Sequence, residues 1–347
     1  MEDFKQHKRR THYDGKYPRR FEEKYKEQNP EKYKETVLHV ISKGSTPAGM
    51  HISIMVKEIL EVLKIKPGEK GLDCTLGYGG HTLEMLKELN GQGCIYGLDV
   101  DPIESKKTVE RLRAAGFDES LFRFRLINFA DIDKVAQEAG KFDFVLADLG
   151  VSSMQIDDPK RGFSYKTDGP LDLRLDPEHG QSAAERLHSI TRDEFKGMLI
   201  ENSDEPYADE ISDKVFGLMK KGDPMDTTTA LKKAIEASLW KVPKQERSDA
   251  VKKSCARVFQ ALRIDVNSEF EVLYSFLEKL PDILNPGARV AILTFHSGED
   301  RLVKKSFKAL YKAGVYSGIS EDVLRPSMEE QRLNPRSKST KLRWAVK

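Results

Sequence analysis

The chain has 347 residues, 38% of them hydrophobic and 33% charged, with a formal net charge of +2. That apolar share is enough for one large or two ordinary domains, and the small net charge means that any affinity for nucleic acid must come from a local basic surface. There is no run of about 18 apolar residues and no apolar leader, and Cys74, Cys94 and Cys255 lack metal-ligand spacing, so a cytoplasmic protein without a metal is expected.

Residues 1–45 are mostly Lys, Arg, Glu, Gln and Tyr and read as a disordered polar extension. Lys8-Arg9-Arg10 and Arg19-Arg20, interleaved with Tyr13, Tyr17, Phe21 and Tyr25, could follow an RNA backbone, but Glu22, Glu23, Glu27 and Glu31 favour a plain solvated tail. From His51 the run HISIMVKEILEVLKI puts Ile52, Met55, Ile59, Val62 and Leu63 on one helical face until Lys66-Pro67-Gly68 ends it. A strand over Gly71–Thr75, a turn through Gly77, Gly79 and Gly80, and a helix over His81–Leu89 follow. Glycine lets backbone N–H groups come close to a ligand at a helix N-terminus, because it has no Cβ and accepts positive φ. A second strand, Cys94–Val100, carries Asp99 near its end, where a carboxylate can accept both hydroxyls of a ribose. Thr82 stands where a dinucleotide fingerprint would have its third glycine, so an adenosyl ligand without a pyrophosphate fits, namely S-adenosylmethionine.

A helix to about Ala115, a strand over Phe122–Ile127, a loop at Asn128–Asp131 and a strand over Phe142–Leu149 continue the alternation of a doubly wound parallel sheet. Between Ser152 and about Arg257 strands give way to a polar loop and helical segments near Ala183–Leu187, Arg192–Leu199, Tyr207–Lys220 and Thr227–Leu239. Alternation resumes with a helix over Asn267–Leu284 and a strand over Arg289–Phe295. The expected fold is α/β: a Rossmann-like sheet of residues 46–156 and 258–347, with a helical substrate domain, 157–257, inserted after the fourth strand. Ligands in such sheets sit at the carboxyl ends of the strands, so the insertion would overhang the site.

Several separated stretches carry a more specific signal: LDCTLGYGGHT (72–82), LADLGVSSMQIDDPKRGFSYKTDGPLDLRLD (146–176), GQSAAERL (180–187), RVFQALRIDVNSE (257–269), TFHSGEDRLVK (294–304) and RPSMEEQRLNPRSKSTKLRWAVK (325–347). Together they resemble the RsmH (MraW) family, S-adenosylmethionine-dependent methyltransferases of the class I fold that act on the N4 amine of a cytidine in small-subunit ribosomal RNA. The resemblance spans residues 50–347. It implies that Gly79, Gly80 and His81 contact S-adenosylmethionine, that Asp99 holds the ribose, that Phe129 lies by the adenine, and that Asp148 and Gln155 close the pocket near the methionine end. Two positions depart from the family pattern: Gly298 replaces a hydrophobic residue and is expected to loosen its loop, and Tyr78 replaces a residue that is commonly basic.

The exocyclic amine of cytosine is a poor nucleophile because its lone pair is delocalised, so its N–H groups need acceptors and its nitrogen needs alignment. Asp148, followed by Leu149-Gly150-Val151, is the expected acceptor, with a structural helix-capping role as its alternative. No aromatic follows it, so base stacking falls to Phe163 or Tyr165, and the loop that also holds Asp168 and Asp172 is expected to seat a flipped nucleotide. His296 is a candidate for tuning proton loss. The tail residues Arg325, Arg332, Arg336, Lys338, Lys341 and Arg343 are expected to meet phosphates. The expected partner is small-subunit ribosomal RNA within an assembled or nearly assembled subunit; the oligomeric state stays open, a homodimer included. The competing readings are a nucleotide-dependent oxidoreductase and a ribosome-assembly RNA-binding factor that keeps the fold without transfer.

Overall fold

The computed structural model describes residues 53–347; the polar extension over 1–45 and the start of the helix expected from His51 lie outside the described residues. The order of elements is α1 (Val56–Leu63), β1 (Lys70–Asp73), α2 (Gly80–Glu88), β2 (Cys94–Asp99), α3 (Pro102–Ala114), β3 (Phe122–Leu126), α4 (Ile132–Ala139), β4 (Phe142–Asp148) and α5 (Ser153–Asp157). Helices α6 (Ala183–Ser189), α7 (Arg192–Ser203), α8 (Ala208–Met219), α9 (Thr228–Ser238) and α10 (Lys244–Val266) then follow without a strand. The chain returns through α11 (Glu269–Lys279), β5 (Leu284–Thr294), α12 (Ser297–Lys312), β6 (Gly318–Ile319), α13 (Met328–Leu333) and β7 (Lys341–Val346).

Among the described residues one sheet forms in the order β3-β2-β1-β4-β5-β7-β6. Strands β1 to β5 are parallel, and β7 lies antiparallel to both β5 and β6. The central strand β4, FDFVLAD, is buried along nearly its whole length, as a parallel strand covered on both faces must be. Leu72, Val145 and Ile292 face Ile132, Val135, Phe276, Val303 and Phe307 on one side. Phe144, Leu146 and Leu293 face Ile59, Leu63, Met85 and Leu112 on the other. Strand β3, FRFRL, lies at the edge, where Arg123 and Arg125 blunt further strand pairing, and Arg125 is tied to Glu138 of α4. No helix of the described residues is long and apolar enough to cross a membrane.

The inserted helices have a core of their own, including Leu187, Phe195, Ile211, Leu231, Val258 and Leu262. Its longest member, α10, is 23 residues and carries the lobe on to Val266, past the expected boundary at 257. The tail is not a free basic ribbon. Arg343 is buried and donates to Asp300 at 2.6 Å, Lys341 lies 3.1 Å from the same carboxylate, and Arg336 pairs with Asp157 at 2.8 Å. Antiparallel pairing with β5 and β6 makes KLRWAV a sheet strand, and Arg325, Arg332 and Lys338 stay exposed.

Candidate active site

The glycine turn after β1 is shaped by Asp99 at the end of β2. Asp99 Oδ2 accepts the Gly77 N–H at 2.8 Å and Oδ1 accepts the Asp101 N–H at 2.9 Å. Gly79, the N-cap of α2, has φ of 78°, and a Cβ there would come within 2.6 Å of the Thr108 side chain, so both backbone and space require glycine. Burial pushes the Asp99 carboxyl up to about 6, although the N–H groups of Asp101 and Gly77 act against it. Tyr78, the first departure from the family pattern, is covered by the Arg111 guanidinium of α3 at 3.6 Å from its ring centre. A basic group thus reaches this turn from another element.

Behind the turn sits a second carboxylate that sequence reasoning missed. Asp101 is buried; its Oδ1 caps α3 through the Ile103 and Glu104 N–H groups, and its Oδ2 accepts Gln155 Nε2 at 2.8 Å and Arg161 Nη1 at 2.7 Å. Gln155 also closes a capping box with Ser152 at the start of α5. Arg161 donates further to the carbonyls of Arg174 and Leu175, so the long loop after β4 is pinned to the crevice. Gly162 and Gly169 allow this folding: a Cβ at either would fall 2.2 Å from the Pro170 oxygen or 2.0 Å from the Pro159 oxygen.

Asp148 lies at the carboxyl end of β4 with its backbone N–H on Thr75 Oγ1 at 2.7 Å. His81 is buried; its Nε2 lies 2.9 Å from the Ile54 oxygen and its Nδ1 3.6 Å from Asp148 Oδ2. Asp148 Oδ1 is buried with no hydrogen-bond partner among the described residues. Burial pushes the Asp148 carboxyl up to about 6, His81 pulls against that, and the charges of Asp73 and Glu299 add to it. Asp73, fully buried on β1, accepts Thr82 Oγ1 at 2.6 Å and the Thr75 N–H at 3.1 Å, and burial raises its carboxyl too. The structure therefore gathers Gly79, Gly80, His81, Asp99, Asp148 and Gln155 around the tips of β1, β2 and β4. Phe129 stands at the tip of β3, edge-on to Phe276 with ring centres 5.3 Å apart.

The loop residues expected to seat a base are held mainly by the lobe. Phe163 and Tyr165 pack partly buried on its core, Tyr165 edge-on to Phe259 with centres 5.8 Å apart. Asp168 accepts the Thr229 hydroxyl of α9, and Asp172 takes Arg174 through both its oxygens, at 2.7 and 2.9 Å. Phe163 keeps its face toward Arg161, 5.7 Å away.

His296 follows β5 and faces a buried cluster that the sequence did not single out. Its Nε2 lies 3.1 Å from Glu299 Oε1, and Glu299 Oε2 accepts the Phe295 N–H at 2.8 Å. Arg263, near the end of α10, grips Glu269 at 2.7 and 3.0 Å. Burial raises the Glu299 carboxyl, but His296, Arg263 and the Phe295 N–H outweigh it and hold it below its ordinary value. Gly298 does not loosen this loop, contrary to the expectation. It begins α12 beneath the ring of Phe270, and a Cβ there would come within 2.6 Å of that ring.

The model of the MraW methylase family matches residues 48–347. A protein named ribosomal RNA small subunit methyltransferase H 1 from Lachnoclostridium phytofermentans is 65% identical over 341 residues, covering 98% of this chain and 93% of that one. One of the same name from Agathobacter rectalis is 63% identical over 347 residues, covering 100% and 99%. Ribosomal RNA small subunit methyltransferase H from Clostridioides difficile is 36% identical over 314 residues, covering 86% and 98%.

Proposed function

The chain belongs to the MraW methylase family, and on that premise we propose that it methylates the exocyclic N4 amine of one cytidine in small-subunit ribosomal RNA. It is a methyltransferase whose methyl donor is S-adenosylmethionine, which, when bound, supplies an electrophilic methyl group on a sulfonium sulfur. The donor set fits that compound: a glycine turn with no side chain to hold a ligand off, a ribose-type carboxylate at Asp99, and a buried acceptor atom, Asp148 Oδ1, at the neighbouring strand tip.

The observation that carries this reading is the bare Oδ1 of Asp148. A carboxylate in this position would accept one N–H of the amine, orient its nitrogen, and take the amine proton as the methyl group leaves the sulfonium sulfur for that nitrogen. Burial makes it more basic than an ordinary aspartate, yet leaves it ionised at neutral pH. His81 holds the other oxygen in place from Nδ1, with Nε2 on the Ile54 carbonyl. His296 stands on the acceptor side, turned to Glu299, so its part is to shape that wall. Phe163, partly buried on the lobe core with the Arg161 guanidinium over its ring, is the stacking surface assigned to the base; Tyr165, Asp168 and Asp172 hold the loop that carries it. Exposed Arg325, Arg332 and Lys338 offer phosphate contacts to an assembled or nearly assembled subunit in the cytoplasm.

The test is mass spectrometry of small-subunit ribosomal RNA from cells with and without the gene. One N4-methylcytidine should disappear when the gene is removed and return with the purified enzyme and donor; an unchanged signal at every site overturns the proposal.

A further inference from the structure

Where the inserted lobe rejoins the sheet, three groups that commonly ligate metals converge from two elements. One ligand atom each from Glu269 at the start of α11 and from His296 and Glu299 at the start of α12 lie within 4.8 Å of one another. The His296 side chain is only 10% exposed, and neither ring nitrogen has a hydrogen-bond partner among the described residues. Nε2 stands 3.1 Å from Glu299 Oε1 without the alignment a hydrogen bond needs. That separation is what two neighbouring ligands of one small cation show, about 3.0–3.4 Å for bonds near 2.1 Å.

Charge points the same way. Glu269 and Glu299 bring two carboxylates, with side chains 12% and 3% exposed, against one permanent cation, Arg263, which pairs with Glu269 and also favours the charged form of Glu299. One imidazole nitrogen with two carboxylate oxygens suits a borderline divalent ion such as Zn²⁺ or Mn²⁺ better than Mg²⁺ or Ca²⁺, which take oxygen alone.

We propose that Glu269, His296 and Glu299 form a binding site for one divalent transition-metal cation, which fastens the start of α11, just past the lobe, to the tip of β5. With His296 Nε2 and Glu299 Oε1 3.1 Å apart and the third ligand atom within 4.8 Å of them, a side-chain movement of up to about one ångström brings all three to a common centre at bonds near 2.1 Å. Arg263 orients Glu269 from behind, and the Phe295 N–H does the same for Glu299 Oε2. Three protein ligands leave at least one coordination position for water. The site is independent of which base is methylated.

The full-length protein, stripped with a chelator, is titrated with Zn²⁺ by calorimetry and with Mn²⁺ by electron paramagnetic resonance. About one equivalent of either ion should bind and raise the melting temperature. His296→Ala and Glu269→Gln should each weaken binding at least tenfold and abolish that rise, while Glu271→Gln, an exposed neighbour, leaves both unchanged. If His296→Ala fails to fold, Glu269→Gln decides alone. No binding of either ion, or binding that Glu269→Gln leaves intact, overturns the site and identifies the cluster as a network closed by hydrogen bonds within the chain.

Discussion

The donor half of the crevice and the acceptor half treat their buried polar atoms differently. Around the glycine turn, Asp73, Asp99 and Asp101 each have partners from the chain itself: Thr82 and Thr75, Gly77 and Asp101, and Gln155 and Arg161. Across the sheet tips, Asp148 Oδ1 and both ring nitrogens of His296 have no such partner among the described residues. Leaving a buried polar group unmatched costs about 1–3 kcal/mol, so such atoms persist where something else completes them. The donor half is built before its ligand arrives, and the acceptor half is finished by what it binds.

The largest effect that tests this contrast is at Asp148. Asp148→Ala should lower kcat by about 10²–10⁴-fold in a methyl-transfer assay on small subunits, with the Kd for S-adenosylmethionine changing less than about threefold. Comparable damage to donor binding would erase the distinction between the halves. In the unsubstituted enzyme kcat/KM should rise as pH climbs through about 6, because the carboxylate must lose its proton to accept another. The same raised value means that the folded chain holds this proton more tightly than the unfolded one, so the residue's contribution to stability falls as pH rises from about 4 to about 6.

Asp99→Ala addresses the prebuilt half. It removes the acceptor of the Gly77 and Asp101 N–H groups along with a ribose contact, and hydrogen bonds to a charged group contribute about 1.5–3 kcal/mol each. Calorimetry should show donor affinity weakened about 10–100-fold, with kcat at saturating donor reduced only a few-fold; an equal fall in both would mean that Asp99 serves the chemistry. The smallest effect is at the join between the halves. Gly298→Leu drives a side chain into Phe270 and should destabilise the protein by about 1–3 kcal/mol, read as a melting point lower by several degrees. Adding Phe270→Ala should restore part of the loss, and strict additivity of the two changes would deny their contact.

How much of this was legible in the sequence follows from the range of the forces involved. The glycine turn and Asp99 could be read because their signal is local: glycines, a helix and a strand-end carboxylate within thirty residues. The Asp101–Arg161 pair could not, since an ordinary N-cap and an ordinary loop arginine meet only after folding. Cluster residues Arg263, Glu269 and Glu299 lie inside motifs that were recognised, yet only their convergence gives them a task. Helix α10 was missed because its first turns, KQERSDAVKK, are polar, and its buried face of Cys255, Val258, Phe259 and Leu262 begins late. Strand β7 was read as a basic tail because its cations outweighed its alternation, and pairing with Asp300 is what makes their burial tolerable.

The antiparallel edge has a consequence for how the nascent protein assembles. Among the described residues, strand β6 is bonded to β7 alone, at Gly318 and Ile319, while β7 lies between it and β5. A segment synthesised earlier must therefore wait for one synthesised later before it can dock, so this margin of the sheet closes in the reverse of translation order. That pairing, Gly318 with Val346 and Ile319 with Ala345, closes a short loop, whereas β4 and β5 meet at Phe142 and Leu284 across the whole inserted lobe, which places the margin's closure among the easier steps and the joining of β4 to β5 among the slower ones.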